Sequence, residues 1–157
     1  MILVALGSNQ SGPWGTPRAT LLRAFHHLDL EPLSLYQKSS IIETPAFGKT
    51  DQPDFVNAVA IVLTALGPQQ LMEHLQLIEQ EAGRVRHERW GPRTLDLDLI
   101  DYESLLVGDR DQHEKGLVLP HLGIEERSFV LEPILEIAPE WKHPVNHKTA
   151  LEMIQKL

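Results

Sequence analysis

Two aspartates stand close together in residues 89–100, RWGPRTLDLDLI, where Asp96 and Asp98 alternate with leucines. Side chains at positions i and i+2 of a β-strand point to the same face, so both carboxylates project together while the leucines pack on the other face. At a Cβ separation of about 6.5–7 Å, two carboxylates can bind Mg²⁺, which prefers oxygen ligands. A half-exposed strand with a polar face explains the same spacing, and from the spacing alone that explanation is the more common one.

Arginines are concentrated just before this strand, in a chain that is otherwise acidic: Arg84, Arg86, Arg89 and Arg93. A planar guanidinium forms forked hydrogen bonds with phosphate oxygens. Arginines beside a Mg²⁺ site are what a nucleoside triphosphate requires, so the cluster predicts phosphate binding. A solvated basic loop is the alternative, and it applies most directly to Arg89, which follows the polar pair His87 and Glu88.

Aromatic and amide side chains form a second group. Phe55 and Asn57 are again i and i+2 on a strand, so a ring and an amide would face outward together. An amide offers donors and an acceptor that match the edge of a flat heterocycle. One core phenylalanine and one turn asparagine is the alternative. Trp90 is either a wall for an aromatic substrate or a packing residue.

These residues need a sheet to position them. The sequence predicts strands at 2–6, 33–43, 55–64 and 94–100. Thr16-Pro17 and Gly67-Pro68 begin two predicted helices, and Gly83 ends the second. Two further helices are predicted at about 127–136 and 147–156. The order β-α-β-β-α-β predicts an α+β fold, a ferredoxin-like antiparallel sheet with helices on one face and a helical C-terminal extension, in a single domain of residues 1–157.

Composition excludes several classes of function. The 157 residues include no Cys, which removes disulfides and thiolate chemistry, and the net charge of −8 argues against a nucleic-acid partner. No apolar run approaches the roughly 20 residues of a membrane span, and the apolar N-terminus lacks the basic flank of a signal peptide, so we expect a cytoplasmic protein. There is no Walker A loop or Gly-x-Ser-x-Gly elbow, and the eight histidines lack metal-binding spacing.

Motifs along nearly the whole chain resemble one family. They are Leu6-Gly7-Ser8-Asn9, Thr44-Pro45, residues 51–57 (DQPDFVN), Gly83-Arg84-Val85-Arg86, Arg89-Trp90, residues 91–100 (GPRTLDLDLI) and Pro120-His121. In this order and spacing they are similar to the 6-hydroxymethyl-7,8-dihydropterin pyrophosphokinases. The resemblance implies that ATP gives its β,γ-pyrophosphoryl group to the hydroxymethyl oxygen of the pterin and leaves as AMP, with two Mg²⁺ ions.

The resemblance also implies residue roles. It assigns catalysis to Arg84, Arg93, Asp96 and Asp98, with both aspartates as metal ligands. It assigns ATP binding to Gln76, Glu79, Arg84, Arg86, Trp90, Arg93, Ile100, His121 and Arg127. It assigns the pterin site to Thr44, Pro45, Phe47, Phe55, Asn57, Trp90, Asp96 and Phe129, with the two phenylalanines Phe55 and Phe129 on either side of the ring. Gln76 and Glu79 are i and i+3 on the second helix, so both can face one ligand.

The chain departs from the family pattern in three places. The loop 86–90 is about one residue shorter, Leu122 follows His121 where an aromatic residue can stand, and the loop 10–17 is longer. The expected partners are ATP and hydroxymethyldihydropterin, bound to a monomer. Two other functions remain open: a ferredoxin-like module that binds a nucleotide without chemistry, and a metal-dependent phosphodiesterase that uses Asp96 and Asp98.

Overall fold

A computed structural model describes residues 1–44, 55–84, 93–111 and 116–157 and shows helices packed on an antiparallel sheet. The strands are β1 (Ile2–Ser8), β2 (Leu33–Lys38), β3 (Ile42–Thr44), β4 (Phe55–Thr64) and β5 (Asp96–Tyr102). The helices are α1 (Pro17–His27), α2 (Pro68–Glu81), α3 (Ser128–Ile137) and α4 (Ala150–Ile154), with a short 3-10 helix at Ile124–Glu126. Within these ranges, no helix is long and apolar enough to cross a membrane.

The strand order is β2-β4-β1-β5, and β3 pairs with the other end of β4. All of these pairings are antiparallel. Gly7 of β1 lies opposite Asn57 of β4 on one side and opposite Asp96 of β5 on the other. Strand β5 therefore stands at one end of the strand order, next to β1, and carries the two aspartates.

Both faces of the sheet are buried. Val4 and Leu6 pack with α1 and α2, while Leu3 and Ala5 pack with α3 and α4 in a second core. The sequence predicts helices on one face and a helical C-terminal extension, whereas the structure has helices on both faces. Apolar side chains alternate to both sides of β1, so burial of only one face would leave the other exposed to water. Helices α3 and α4 of the C-terminal extension pack on this second face.

Most predicted element boundaries are confirmed to within two residues. Thr16 caps α1, with its Oγ1 accepting a hydrogen bond of 3.2 Å from the Ala19 N–H. Gly83 follows α2 with a φ of +90°, in the left-handed region that favours glycine. The predicted strand 33–43 is two strands, because the Ser39 hydroxyl accepts the Val59 N–H and Ser40 turns away to the Glu136 carboxylate on α3.

Candidate active site

Strand β5 carries the paired aspartates, as the sequence predicts. Leu95, Leu97 and Leu99 are buried in the first core, whereas Asp96 and Asp98 point to the opposite face and keep about a third of their side-chain surface exposed. Asp98 lies opposite Ala5 and Asp96 opposite Gly7. The alternation thus fixes two carboxylates side by side on the sheet.

Among the described residues, three arginines lie near these carboxylates. One guanidinium nitrogen of Arg84 donates to Asp96 Oδ1 at 2.8 Å, and Arg93 donates to Asp96 Oδ2 at 3.3 Å. Arg127, at the start of α3, lies 3.9 Å from Asp98 Oδ2. A guanidinium carries five N–H donors in a planar fork, so one arginine can contact a carboxylate and a phosphate group at the same time.

Glu79 of α2 joins the helix to the site. It is 2% exposed, accepts the Leu97 backbone N–H at 2.8 Å and accepts a short hydrogen bond from Arg84. Because β5 stands at the end of the strand order, its outer amides lack a strand partner, and Glu79 supplies one. The same carboxylate therefore holds both the strand and the arginine.

The electrostatics favour a cation at the aspartates. Burial, and then repulsion from Asp96, raise the pKa of Asp98 to about 7, while the weaker effect of the Arg127 charge acts in the opposite direction. A divalent cation between the carboxylates would relieve that repulsion. No group of three or more His, Cys, Asp or Glu within the described ranges could hold a metal ion. Two aspartates suit Mg²⁺, which takes one or two carboxylates and completes its shell with waters and phosphates.

A cavity of about 300 Å³ opens between α2, β5 and residues 116–122. Its charged lining includes the two aspartates and the arginines Arg84 and Arg93. Its apolar lining is formed mainly by Met72, Leu75, Leu99, Leu117, Val118 and Leu122. A cavity lined by both charged and apolar side chains suits a ligand with an anionic group joined to a flat, weakly polar ring.

Four predicted nucleotide contacts among the described residues lie around this cavity or behind it. Gln76 and Glu79 both line it, as their i, i+3 spacing allows. His121 also lines it. Among the described residues its Nδ1 is buried with no hydrogen-bond partner, and burial followed by the charge of Arg127 lowers its pKa. Ile100 faces the second core and lies behind the cavity, where its carbonyl accepts the His121 N–H at 2.8 Å.

Three of the predicted pterin residues, Phe55, Asn57 and Phe129, lie on the α3 side of the sheet. Phe55 and Asn57 share a face of β4 with Val59, which belongs to the second core. Phe129 is in the first turn of α3, and both phenylalanine rings are exposed, Phe55 at 40% and Phe129 at 38%. Thr44 ends β3 directly opposite Phe55.

A single glycine separates Asn57 from Asp96. Both residues pair with Gly7, and a Cβ atom built on Gly7 would lie only 3.0 Å from Asn57 Oδ1. Neighbouring strands are about 4.8 Å apart, so the Cα atoms of Asn57 and Asp96 lie roughly 10 Å apart with no side chain between them. The absence of a side chain on Gly7 makes room for the Asn57 amide. The region over Gly7, between this amide and the Asp96 carboxylate, is called the slot below.

Four predicted site residues, Pro45, Phe47, Arg86 and Trp90, lie outside the described residues and remain predictions. Sequence reasoning gave no role to Gly7 or Asn9 beyond a turn after the first strand. Asn9 is buried and accepts the Arg93 backbone N–H at 2.9 Å. The sequence feature that could have indicated Asn9 is its place two residues after a glycine, at the end of a central strand, where a buried polar side chain needs a hydrogen-bond partner.

Paired carboxylates among arginines, in a cavity with both polar and apolar lining, are typical of enzymes that transfer phosphoryl groups by positioning and charge stabilisation. A family model described as 7,8-dihydro-6-hydroxymethylpterin-pyrophosphokinase matches residues 3–139. The chain belongs to this family, whose members are diphosphotransferases.

Individual relatives agree with this assignment. A 2-amino-4-hydroxy-6-hydroxymethyldihydropteridine pyrophosphokinase of Methylorubrum extorquens is 40% identical over 98% of this chain and 91% of its own length. A protein of the same name from Synechocystis is 44% identical over 76% of this chain and 58% of its own length. The folic acid synthesis protein fol1 of Pneumocystis carinii is 35% identical over 99% of this chain, which spans only 20% of that protein.

Proposed function

We propose that the protein transfers pyrophosphate from ATP to the hydroxymethyl group of 6-hydroxymethyl-7,8-dihydropterin, in a Mg²⁺-dependent step of folate biosynthesis. The observation that carries the proposal is the row Asn57, Gly7 and Asp96 across three adjacent strands. In this row, an amide that can form hydrogen bonds with a heterocycle is separated from a predicted metal ligand only by a glycine. That metal ligand, in turn, lines the cavity with the arginines.

The cavity would bind ATP. Its apolar side chains suit the adenine ring, and its charged side chains suit the triphosphate. Arg84 and Arg93 meet at Asp96, so a phosphate group next to that carboxylate would lie within reach of both guanidinium groups. Stabilisation of the charge on the transferred group is then the main contribution of the chain to the reaction.

The slot beside Gly7 would bind the pterin. The Asn57 amide can donate and accept hydrogen bonds at the ring edge, and the exposed rings of Phe55 and Phe129 offer flat apolar surfaces for its faces. Such a pose directs the hydroxymethyl oxygen toward Asp96. Holding two reactants in this way can contribute several kcal/mol to the rate, roughly 7–11 in favourable systems.

Asp96 and Asp98 are the residues that would hold Mg²⁺. When bound, the two expected ions would neutralise phosphate charge and lower the barrier to attack by the acceptor oxygen. The raised pKa of Asp98 supports this assignment, because repulsion between uncompensated carboxylates is what a divalent cation relieves.

Three further expectations are part of the proposal. The all-antiparallel order β2-β4-β1-β5 supports a ferredoxin-like βαββαβ arrangement in which β3 extends the second strand. Two cores on opposite faces of one sheet support a single domain of residues 1–157. We also propose that the protein acts in the cytoplasm as a monomer.

The experiment incubates the protein with MgATP and the reduced hydroxymethylpterin and measures AMP. We expect AMP formation that depends on the pterin, and no AMP when 6-methyl-7,8-dihydropterin, which lacks the acceptor hydroxyl, replaces it. Asp96→Asn and Asp98→Asn should abolish turnover while the proteins remain folded, because each change removes a carboxylate at the metal site. Asp29→Asn is the matched control, since Asp29 is exposed in the turn before β2, at the opposite end of the sheet.

Three outcomes would contradict the proposal. ADP as the product would indicate transfer of a single phosphoryl group. Nucleotide binding without turnover would indicate a binding module. Full activity in either active-site variant would refute the metal role of that aspartate.

A further inference from the structure

The turn of residues 9–16 lies against both chain segments that carry Arg84 and Arg93. Gly12 and Gly15 exchange two backbone hydrogen bonds of 3.0 Å, which close the turn. A Cβ atom on Gly12 would lie 2.7 Å from Thr94 Cγ2, and a Cβ atom on Gly83 would lie 2.6 Å from Pro13 Cδ. The turn is therefore in close contact with the residue before Arg84 and the residue after Arg93.

Asn9 adds a direct link to Arg93. Its side-chain oxygen accepts the Arg93 N–H at 2.9 Å, and its own N–H donates to the Arg93 carbonyl at 3.1 Å. Asn9 is 4% exposed, so water does not compete readily for these hydrogen bonds. The backbone N–H and the backbone carbonyl of Arg93 are thus both hydrogen-bonded to one residue of the turn.

Trp14 packs the turn of residues 9–16 against α1. Its ring stacks on His27 of α1, with centroids 4.6 Å apart and planes 16° apart, and the guanidinium carbon of Arg23 lies 5.0 Å from the ring centroid. The Trp14 side chain also packs against the first core. His27 in turn lies 3.6 Å from Glu81 at the end of α2. The turn is therefore fixed to both helices on that face.

We propose that residues Asn9, Gly12, Pro13 and Trp14 are positioning residues, which hold Arg84 and Arg93 at a fixed separation so that both guanidinium groups meet at Asp96. This inference rests on the proposed function. Arg84 and Arg93 stand at the two ends of residues 85–92, and the turn bridges the chain immediately outside them. A displacement of about 1 Å at a catalytic group can lower a rate on the order of 100-fold, so a bridge that sets this separation affects turnover.

Gly12→Ala tests the bridge, because the new methyl group would meet Thr94 Cγ2 at 2.7 Å and push the chain next to Arg93 outward. We expect kcat to fall on the order of 10- to 100-fold, with little change in the KM for the pterin. Thr94→Ser removes the methyl group that is struck, so the double variant should recover most of the lost kcat. Gly67→Ala is the matched control, since a Cβ there meets nothing within 4 Å.

A second measurement does not depend on catalysis. Hydrogen exchange of the Arg93 amide, which donates to Asn9, should be faster in Gly12→Ala and return toward the wild-type rate in the double variant. Trp14→Ala, at a half-buried position, should also speed this exchange and lower kcat, and it provides the test if Gly12→Ala does not fold.

The inference is overturned if folded Gly12→Ala and Trp14→Ala keep the wild-type kcat and the wild-type Arg93 exchange rate. It is also overturned if the double variant Gly12→Ala/Thr94→Ser has the same kcat and the same Arg93 exchange rate as Gly12→Ala. A wild-type protein that makes no AMP would instead refute the proposed function, and the exchange rates would still test the bridge.

Discussion

Glu79→Gln separates a structural role of this residue from a role in binding nucleotide alone. The glutamate is 2% exposed and accepts hydrogen bonds from Arg84 and from the Leu97 backbone N–H. Glutamine has the same shape and retains one oxygen acceptor, but it carries no charge. We expect Leu97 to keep its partner and Arg84 to lose a buried counter-ion.

The expected loss in the free energy of unfolding follows from the contacts that Arg84 loses and the contact that it keeps. Breaking a buried ion pair by removing one partner costs about 3–5 kcal/mol, and a hydrogen bond to a charged group contributes about 1.5–3 kcal/mol. Arg84 keeps its 2.8 Å contact with Asp96, which reduces the loss. We therefore expect a decrease of about 2–3 kcal/mol in the free energy of unfolding. For a chain of this size, that lowers the melting temperature by about 5–10 °C.

The assay is thermal unfolding of the nucleotide-free protein, followed by steady-state kinetics below the lower melting temperature. Glu73→Gln is the matched control on the same helix. Glu73 is exposed and accepts only a 3.4 Å contact from Gln69 among the bonds described for it, so the change should stay within about 0.5 kcal/mol. In Glu79→Gln we also expect a lower kcat, because Arg84 is less firmly held.

A residue that only contacts nucleotide would behave differently. Glu79→Gln would then leave the melting temperature of the nucleotide-free protein unchanged and raise the KM for ATP. That result would refute the reasoning that Glu79 links α2, Arg84 and β5.

Two other residues give independent predictions. Gly7→Ala places a methyl group 3.0 Å from Asn57 Oδ1, so we expect about a tenfold higher KM for the pterin with little change in the KM for ATP, and unchanged pterin kinetics would contradict the slot. His143 is buried, burial lowers its pKa from 6.5, and its Nδ1 accepts the Val145 and Asn146 N–H groups. The unfolded chain takes up the proton more readily than the folded protein, so the free energy of unfolding should fall as the pH drops below 6.5. Thermal unfolding should show a smaller fall in His143→Asn. Equal pH dependence in both proteins would refute the role of His143 in this loss of stability.

Local rules predicted much of the fold. Period-2 alternation gave the orientation of Asp96 and Asp98, because it reports which residues share a face of a strand. The Thr16 cap and Gly83 followed from hydrogen-bonding and backbone preferences of single residues. The break between β2 and β3 did not, because it depends on a partner of Ser40, Glu136, that is 96 residues away.

The candidate site was harder to predict, because its geometry depends on long-range pairs. Asn9 and Arg93 are 84 residues apart, and neither residue type alone indicates the hydrogen bond. Glu79 is a charged residue on an amphipathic helix, where exposure is the ordinary expectation. Its burial arises because β5 stands at the end of the strand order, which is a property of the whole sheet. Resemblance to a family identified Glu79 without that physical reason.

The most direct test of the proposed function is ³¹P NMR of the products formed from MgATP and 6-hydroxymethyl-7,8-dihydropterin. Transfer of the β,γ-pyrophosphoryl group predicts AMP and a pterin carrying two coupled phosphorus atoms, in equal amounts. ADP with a pterin monophosphate, or inorganic phosphate released without any phosphorylated pterin, would contradict it.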